Sequence, residues 1–420
     1  VTLVDAQPER AGGIEELLTG AGDVADLAKG RGPDWLESWL HRGSADLVAW
    51  RRLIHARPEL ARDEYATTEL VGDLLRSIGL KPDVLPNGTG LICDIGSGDR
   101  CVALRADIDA LPVHEETGLP FASTVDGVAH ACGHDAHTAM LLGAAHALVQ
   151  APSLPGRVRL IFQPAEEVMP GGALDVIEAG GLEGVERIFG LHCEPKLDVG
   201  TVGTRVGPIT SATDFIELGL TSPGGHTSRP HLTADLVNAL GSVITGLPAL
   251  LSRRVDPRSG TVLVWGAVHA GNAPNAVPKE GQLRGTLRTA DRDTWAALEP
   301  LVREFVAALV APTGVGFELD YRRGVPPVVN EERSTELLSE AVTSAIGTDA
   351  VATAQQSSGG EDFAWYLEQV PGTFARLGVH GGGEHRADIH RPAFDIDERA
   401  LPIGVRVHVT AALHALTAQR

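Results

Sequence analysis

Three short apolar runs, at residues 101–106, 158–162 and 188–191, each lead into residues that carry chemistry: Asp107 and Asp109, Glu166 and Glu167, and His192. Apolar helical patterns at 136–149 and 173–179 separate them. Strands in this alternation pair in parallel, because an intervening helix returns the chain to the end at which it started. Open sheets of that kind place their sites beyond the carboxyl ends of the strands. Strand ends bearing acidic or imidazole side chains therefore constrain fold and function together. The expected fold class is α/β, with a mostly parallel sheet flanked by helices.

The rest of the chain is arranged around that sheet. Helical patterns precede it at 14–18, 35–40, from 45 to the break at Pro58-Glu59, and at 66–78. After Gly207-Pro208 the character changes. Strands at 214–220, 261–269, 281–289 and 316–321 and helices at 234–251 and 294–310 follow a β-α-β-β-α-β order, which makes a two-layer unit on an antiparallel sheet. At 420 residues the chain exceeds what one core usually serves. The expected division is an N-terminal extension at 1–44, a catalytic domain at 45–208 and 323–420, and an inserted α+β lid or dimerisation domain at 209–322.

One stretch concentrates ligating groups: His130-Ala131-Cys132-Gly133-His134-Asp135-Ala136-His137. Cys132 and His134 can close on one ion if Gly133 bends the backbone between them, and zinc and its neighbours take such mixed sulfur and nitrogen donors. By itself the stretch is equally a Cys and some His packed at a helix start. Glu166 and Glu167, off an extended segment, point to opposite sides, so one can hold metal while the other takes a proton from an activated water. A bare Glu-Glu is otherwise a solvated surface pair. His192 ends an apolar strand, where a lone His is commonly structural, and His390 in Ile-His-Arg-Pro is a weaker signal still. Asp107 and Asp109 can orient a histidine ligand or cap the following turn.

The formal net charge of −20 disfavours nucleic acid as a partner. Four irregularly spaced cysteines, Cys93, Cys101, Cys132 and Cys193, are no disulfide framework and suit a reducing compartment. No run of residues reaches the uninterrupted apolar length of a membrane span, and residues 1–5 lack the pattern of a secretory signal. A cytoplasmic address, without membrane partner, is the expectation.

Seven motifs appear in order: Arg105 to Pro112, His130 to His137, Gln163 to Glu167, Gly224-Gly225-His226 with Pro230-His231, Asn272 to Pro278, Gly359 to Phe363, and Ile389-His390-Arg391-Pro392. On these the chain, over about residues 46–415, closely resembles the aminoacylase/carboxypeptidase-type metallopeptidases. It looks like their amidohydrolase branch, with indole-acetyl-amino-acid conjugate hydrolases, hippurate hydrolases and N-acetyl-diaminopimelate deacetylases. The resemblance implies a metallopeptidase-type catalytic domain holding two divalent ions (Zn, Mn, Co or Ni) on Cys132, His134, Glu167, His192 and His390. It implies Glu166 as general base, and His226 as the donor that polarises the scissile carbonyl and stabilises the oxyanion. Asn275 and Arg288 match the lid surface that meets substrate, Arg288 being as readily a surface ion pair, and Gly360 matches a loop offering N–H groups to a carboxylate. The implied reaction cleaves N-acyl amino acids to a carboxylic acid and an amino acid, in a homodimer joined through the inserted domain. A dipeptidase and a silent binding protein of the same fold are the competing readings, and the acidic N-terminal extension matches nothing in the pattern.

Overall fold

A computed structural model describes residues 30–383 and 386–419. The helix expected at 14–18 lies outside them. The chain divides into two compact units. Of the described residues, one holds 30–207, Val329–Gln355 and those from Trp365 on; the other holds Pro208–Val328 and Gln356–Ala364.

The first unit is built on an eight-stranded sheet. Its order is Asp83–Val84, Leu91–Gly96, Arg157–Gln163, Cys101–Asp107, Arg187–Asp198, Gly372–His380, Val202–Thr204 and Val351–Thr353. The four central strands, Arg157–Gln163 to Gly372–His380, run parallel. Cys101–Asp107 and Gly372–His380 are buried at every residue, which is why they read as continuous apolar runs rather than alternating ones. The helix His134–Leu148 is buried nearly all round, packed between Asp34–His55 and Ala400–Thr417.

Two local expectations need correction. The helix expected to begin at 45 is one helix, Asp34–His55, that absorbs the separate 35–40 segment. Gly43-Ser44 resembles a breaker, but Gly43 sits against the Trp39 indole, where a Cβ would lie 2.8 Å from the ring. The strand expected at 188–191 continues as Arg187–Asp198, so His192 lies within it. His192 still escapes the ladder on one side, because the pairing with Cys101–Asp107 ends at Arg105↔Gly190 while that with Gly372–His380 continues through Arg376↔His192.

The second unit carries a four-stranded antiparallel sheet in the order Val262–Ala270, Glu280–Thr289, Ala212–Thr221, Gly316–Val325. The helices Leu236–Arg254 and Arg292–Val310 pack on it. The view that no segment is long and apolar enough for a membrane span also needs correction, because Leu236–Arg254 qualifies by length and composition. Its buried residues, Leu236, Ala239, Leu240, Val243, Leu247 and Leu251, form the one-sided stripe of a helix packed on a core. Asp214, fully buried, accepts hydrogen bonds from the Trp295 indole at 2.9 Å, the Tyr321 hydroxyl at 2.6 Å and the Gly324 N–H at 3.0 Å. Those three donors tie the helix Arg292–Val310 and the strand Gly316–Val325 to a carboxylate on Ala212–Thr221.

Candidate metal centre

The turn before the helix His134–Leu148 sets the site. Gly133 has φ +89°, and a Cβ there would lie 2.9 Å from Cys193 Sγ. Only glycine takes this bend against that sulfur without strain, and the bend carries Cys132 and His134 inward on either side of it. Donor atoms of Cys132, His134 and His192 all lie within 4.8 Å of one another, with Cys132 Sγ 3.5 Å from His192 Nε2. A second set with the same spacing is Cys132, Glu167 and His390. His390 Nε2 is 3.3 Å, and His134 Nε2 3.8 Å, from Glu167 Oε1. All five residues named as ligands thus converge, with Cys132 common to both sets.

The surroundings fit a cation. His134 Nδ1 donates to the Asp109 carbonyl at 2.9 Å, and His192 Nδ1 to the Cys193 carbonyl at 2.7 Å, so each ring turns its Nε2 toward the cluster. Among the described residues, buried His134 Nε2 has no hydrogen-bond partner. Burial opposes charge on His134, but Asp107, Asp109 and Glu167 outweigh it and push its pKa up to about 10. The Cys132 thiol is driven well above its usual range by burial and then by Glu167, Glu166 and Asp107. Burial holds His192 well below the usual imidazole range, with Arg376 and His137 adding to it, which leaves a neutral ring. A buried thiol, imidazoles that turn Nε2 toward the cluster and an excess of carboxylates form a donor set that a divalent ion satisfies.

Asp109 ties two candidate ligands together. Its Oδ2 accepts the Glu167 N–H at 2.9 Å, while Oδ1 lies 3.2 Å from His134 Nδ1. Asp107 binds Arg105 at 2.5 Å and His137 Nδ1 at 2.5 Å. Asp107, His134 and His137 are close enough to form a third ligand set. His137 nevertheless has no lone pair to offer, because its Nε2 accepts the Cys193 N–H at 2.8 Å.

Glu166 and Glu167 do not point to opposite sides, as an extended backbone requires. One oxygen of each lies within 4.8 Å of the other and of a His134 nitrogen. The strand ends at Gln163, and Ala165 has φ +56°. That left-handed residue turns both carboxylates to one side.

In the second unit His226 is exposed, on the short ladder Gly225–His226 with Ala276–Val277. The Ser228 N–H donates to His226 Nδ1 at 3.1 Å, so the neutral ring carries its proton on Nε2. Asn275, also exposed, accepts the Thr227 N–H through its carbonyl at 3.2 Å. Among the described residues Arg288 has no ion-pair partner: it binds Thr213 Oγ1 at 2.9 Å and the Ser358 carbonyl at 2.5 Å. It therefore braces the loop that contains Gly360.

Sequence reasoning missed the charged network behind the site. Asp135, next to His134, is 2.9 Å from Arg51 Nε and 2.8 Å from His55 Nδ1. Arg51 also holds Asp395 at 2.6 Å and Glu398 at 3.2 Å. The four-residue spacing of Arg51 and His55 on one helix was the available signal.

Residues 103–414 match the model of peptidase family M20/M25/M40. The chain is 56% identical over 389 residues to a Rhodococcus jostii protein provisionally named glutamate–cysteine ligase 2-3; the match covers 92% of this chain and spans about half, 48%, of that protein. It is 39% identical to the N-acetyl-L-cysteine deacetylase of Bacillus subtilis, over 84% of each chain. The crystal structure of the Bacillus subtilis YXEP protein, described as a dinuclear metal-binding peptidase of the M20 family, superposes with a TM-score of 0.78 at 36% identity, covering 90% of this chain and 99% of that one. The eight-stranded and four-stranded sheets, the converging donors and these likenesses agree, and the chain belongs to the M20/M25/M40 peptidase family of hydrolases.

Proposed function

We propose that the chain hydrolyses the amide bond of N-acyl amino acids, with Cys132, His134 and His192 holding one divalent ion and Cys132, Glu167 and His390 a second. The observation that carries this reading is the overlap of those two donor sets at Cys132, with the Glu166 carboxylate beside them. When bound, such ions (Zn, Mn, Co or Ni) supply an acidified water and polarise a carbonyl. Glu166 accepts a proton from the water on its carboxylate as the amide carbon is attacked, then delivers it to the leaving nitrogen. One water is consumed, the C–N bond breaks, and a carboxylic acid and an amine leave. His226 has its Nε2–H available as the donor for the developing oxyanion. Donors of this kind contribute about 3–4 kcal/mol to the barrier. We assign Asn275 and Gly360 to substrate contact, and Arg288 to support of the Gly360 loop.

N-acylcysteines are the substrates to try first. One relative is named for deacetylating N-acetyl-L-cysteine, and the half-length match carries the name of an enzyme that uses cysteine. We further propose a homodimer through the second unit. Its edge strand Val262–Ala270 exposes Val262, Val264 and Val268, and a second copy can extend the sheet across such an edge. Four buried cysteines without disulfides support a cytoplasmic address.

The test is a panel of acetyl, benzoyl and indole-acetyl amino acids, N-acetylcysteine and plain dipeptides. Metal-free protein is assayed with each ion restored, beside Glu166→Ala. Metal-dependent cleavage of an acyl amide, lost in Glu166→Ala, supports the proposal. Cleavage confined to dipeptides replaces it with a dipeptidase, and binding of metal without any turnover replaces it with a binding protein.

A further inference from the structure

The turn that brings Glu166 and Glu167 to one side rests on a residue 101 positions earlier. Ala165 adopts φ +56°, a conformation that costs an alanine its usual backbone comfort. Something must hold it there. On one side the Gly172 N–H donates to the Ala165 carbonyl at 2.9 Å, and Gly172 is packed so closely that a Cβ would meet the Pro164 carbonyl. On the other, the Ala165 N–H donates to Glu64 Oε1 at 2.7 Å.

Glu64 is fully buried and precedes the helix Tyr65–Ser77. Its backbone carbonyl accepts the Thr68 hydroxyl at 2.6 Å, and that hydroxyl accepts the Gly90 N–H at 2.8 Å. Gly90 in turn lies under Pro164, where a Cβ would come within 2.4 Å of the proline ring. One residue thus grips the 163–167 segment directly at Ala165 and indirectly beneath Pro164. A buried carboxylate is a costly choice where no charge partner is met, and the bond it makes is to the backbone that aims two glutamates.

We propose that Glu64 is a positioning residue for Glu166 and Glu167: by holding the Ala165 N–H it maintains the left-handed turn that sets both carboxylates on the same side. Burial, and then the charge of Asp109, raise the Glu64 pKa to about 7 against its backbone donors. Glutamine is therefore a close stand-in that still accepts the Ala165 N–H. Leucine fills the space without an acceptor, and aspartate keeps the carboxylate one methylene short.

The kinetic arm rests on the amide-hydrolase reading, so the test also reads the metal site itself. Wild type, Glu64→Gln, Glu64→Leu and Glu64→Asp are loaded with Co(II). Visible spectra, kcat and KM on the best acyl amide, and thermal melts are recorded. The expected result is a wild-type spectrum and kcat for Glu64→Gln. For Glu64→Leu and Glu64→Asp the d–d bands shift and kcat falls about 10- to 100-fold, with KM within about threefold. Wild-type spectra and kcat in both of those variants, or equal damage in Glu64→Gln, would overturn the proposal. If wild type hydrolyses nothing on the panel, the spectra alone decide. If Glu64→Leu does not fold, the contrast between Gln and Asp carries the same test.

Discussion

The backbone N–H of Cys193 donates to Nε2 of His137 at 2.8 Å. Because an N–H can only donate, that nitrogen carries no proton, and Nδ1–H must be what meets Asp107. His137 therefore stands among candidate ligands with no nitrogen lone pair left for an ion. It pins the strand beside His192, whose own Nδ1 uses the Cys193 carbonyl. The expected outcome for His137→Phe is a full complement of metal at saturation, with affinity about 10- to 100-fold weaker. Unfolding free energy should fall by about 1–3 kcal/mol for the unpaired donor left behind. Metal titration and urea denaturation check the two separately.

Gly133→Ala should damage the site from the backbone. The new Cβ meets the Cys193 side chain and stands at φ +89°. The strain costs about 1–3 kcal/mol if the turn is kept, and the turn that points Cys132 and His134 inward is lost if it relaxes. Metal content by elemental analysis should drop, and adding Cys193→Ala should restore part of it by removing the obstacle.

A pH effect on stability follows from His55 and Glu115. Burial works against charge on His55, but Asp135 and then Glu115 raise its pKa to about 9, with Arg51 opposing. A raised imidazole contributes stability that is complete below its unfolded value near 6.5 and is lost as the pH climbs through about 9. Glu115 moves the other way, to about 2, as its bonds from His55, Thr117 and Ser123 outweigh burial. Its contribution is present above about 4.5 and is lost as the pH falls through about 2. Chemical denaturation across pH 6–10 should show wild type losing stability where His55→Leu does not.

The second unit makes its own prediction. Asp214→Ala removes the carboxylate to which the Trp295, Tyr321 and Gly324 donors bond. The loss should reach about 3 kcal/mol or more, against about 1 kcal/mol for Tyr321→Phe, which removes a donor along with its bond. Tryptophan fluorescence during denaturation reads it, while metal content should stay at the wild-type level.

Much of the fold was legible because its signals are local. The apolar runs at 101–106 and 158–162 are strands, and the helices expected at 234–251 and 294–310 appear as Leu236–Arg254 and Arg292–Val310. Where the reading slipped, a distant partner decided. Gly43 and Ser44 continue a helix that packs along His134–Leu148, far along the chain. His192 lies inside a strand because Gly372–His380, far along the chain, extends the ladder.

The division at the site follows the same physics. Residue type and spacing determined which side chains can ligate: Cys132 and His134 around a glycine, two adjacent glutamates, and histidines at 192 and 390. Those preferences belong to side-chain chemistry and to a few neighbouring dihedral angles. Tertiary structure alone decided which nitrogens remain unsatisfied, that His137 is consumed by Cys193, and that Ala165 turns left-handed with Glu64 at its N–H. A hydrogen bond between residues 101 apart leaves no periodic trace in the chain, because folding supplies the proximity on which it depends.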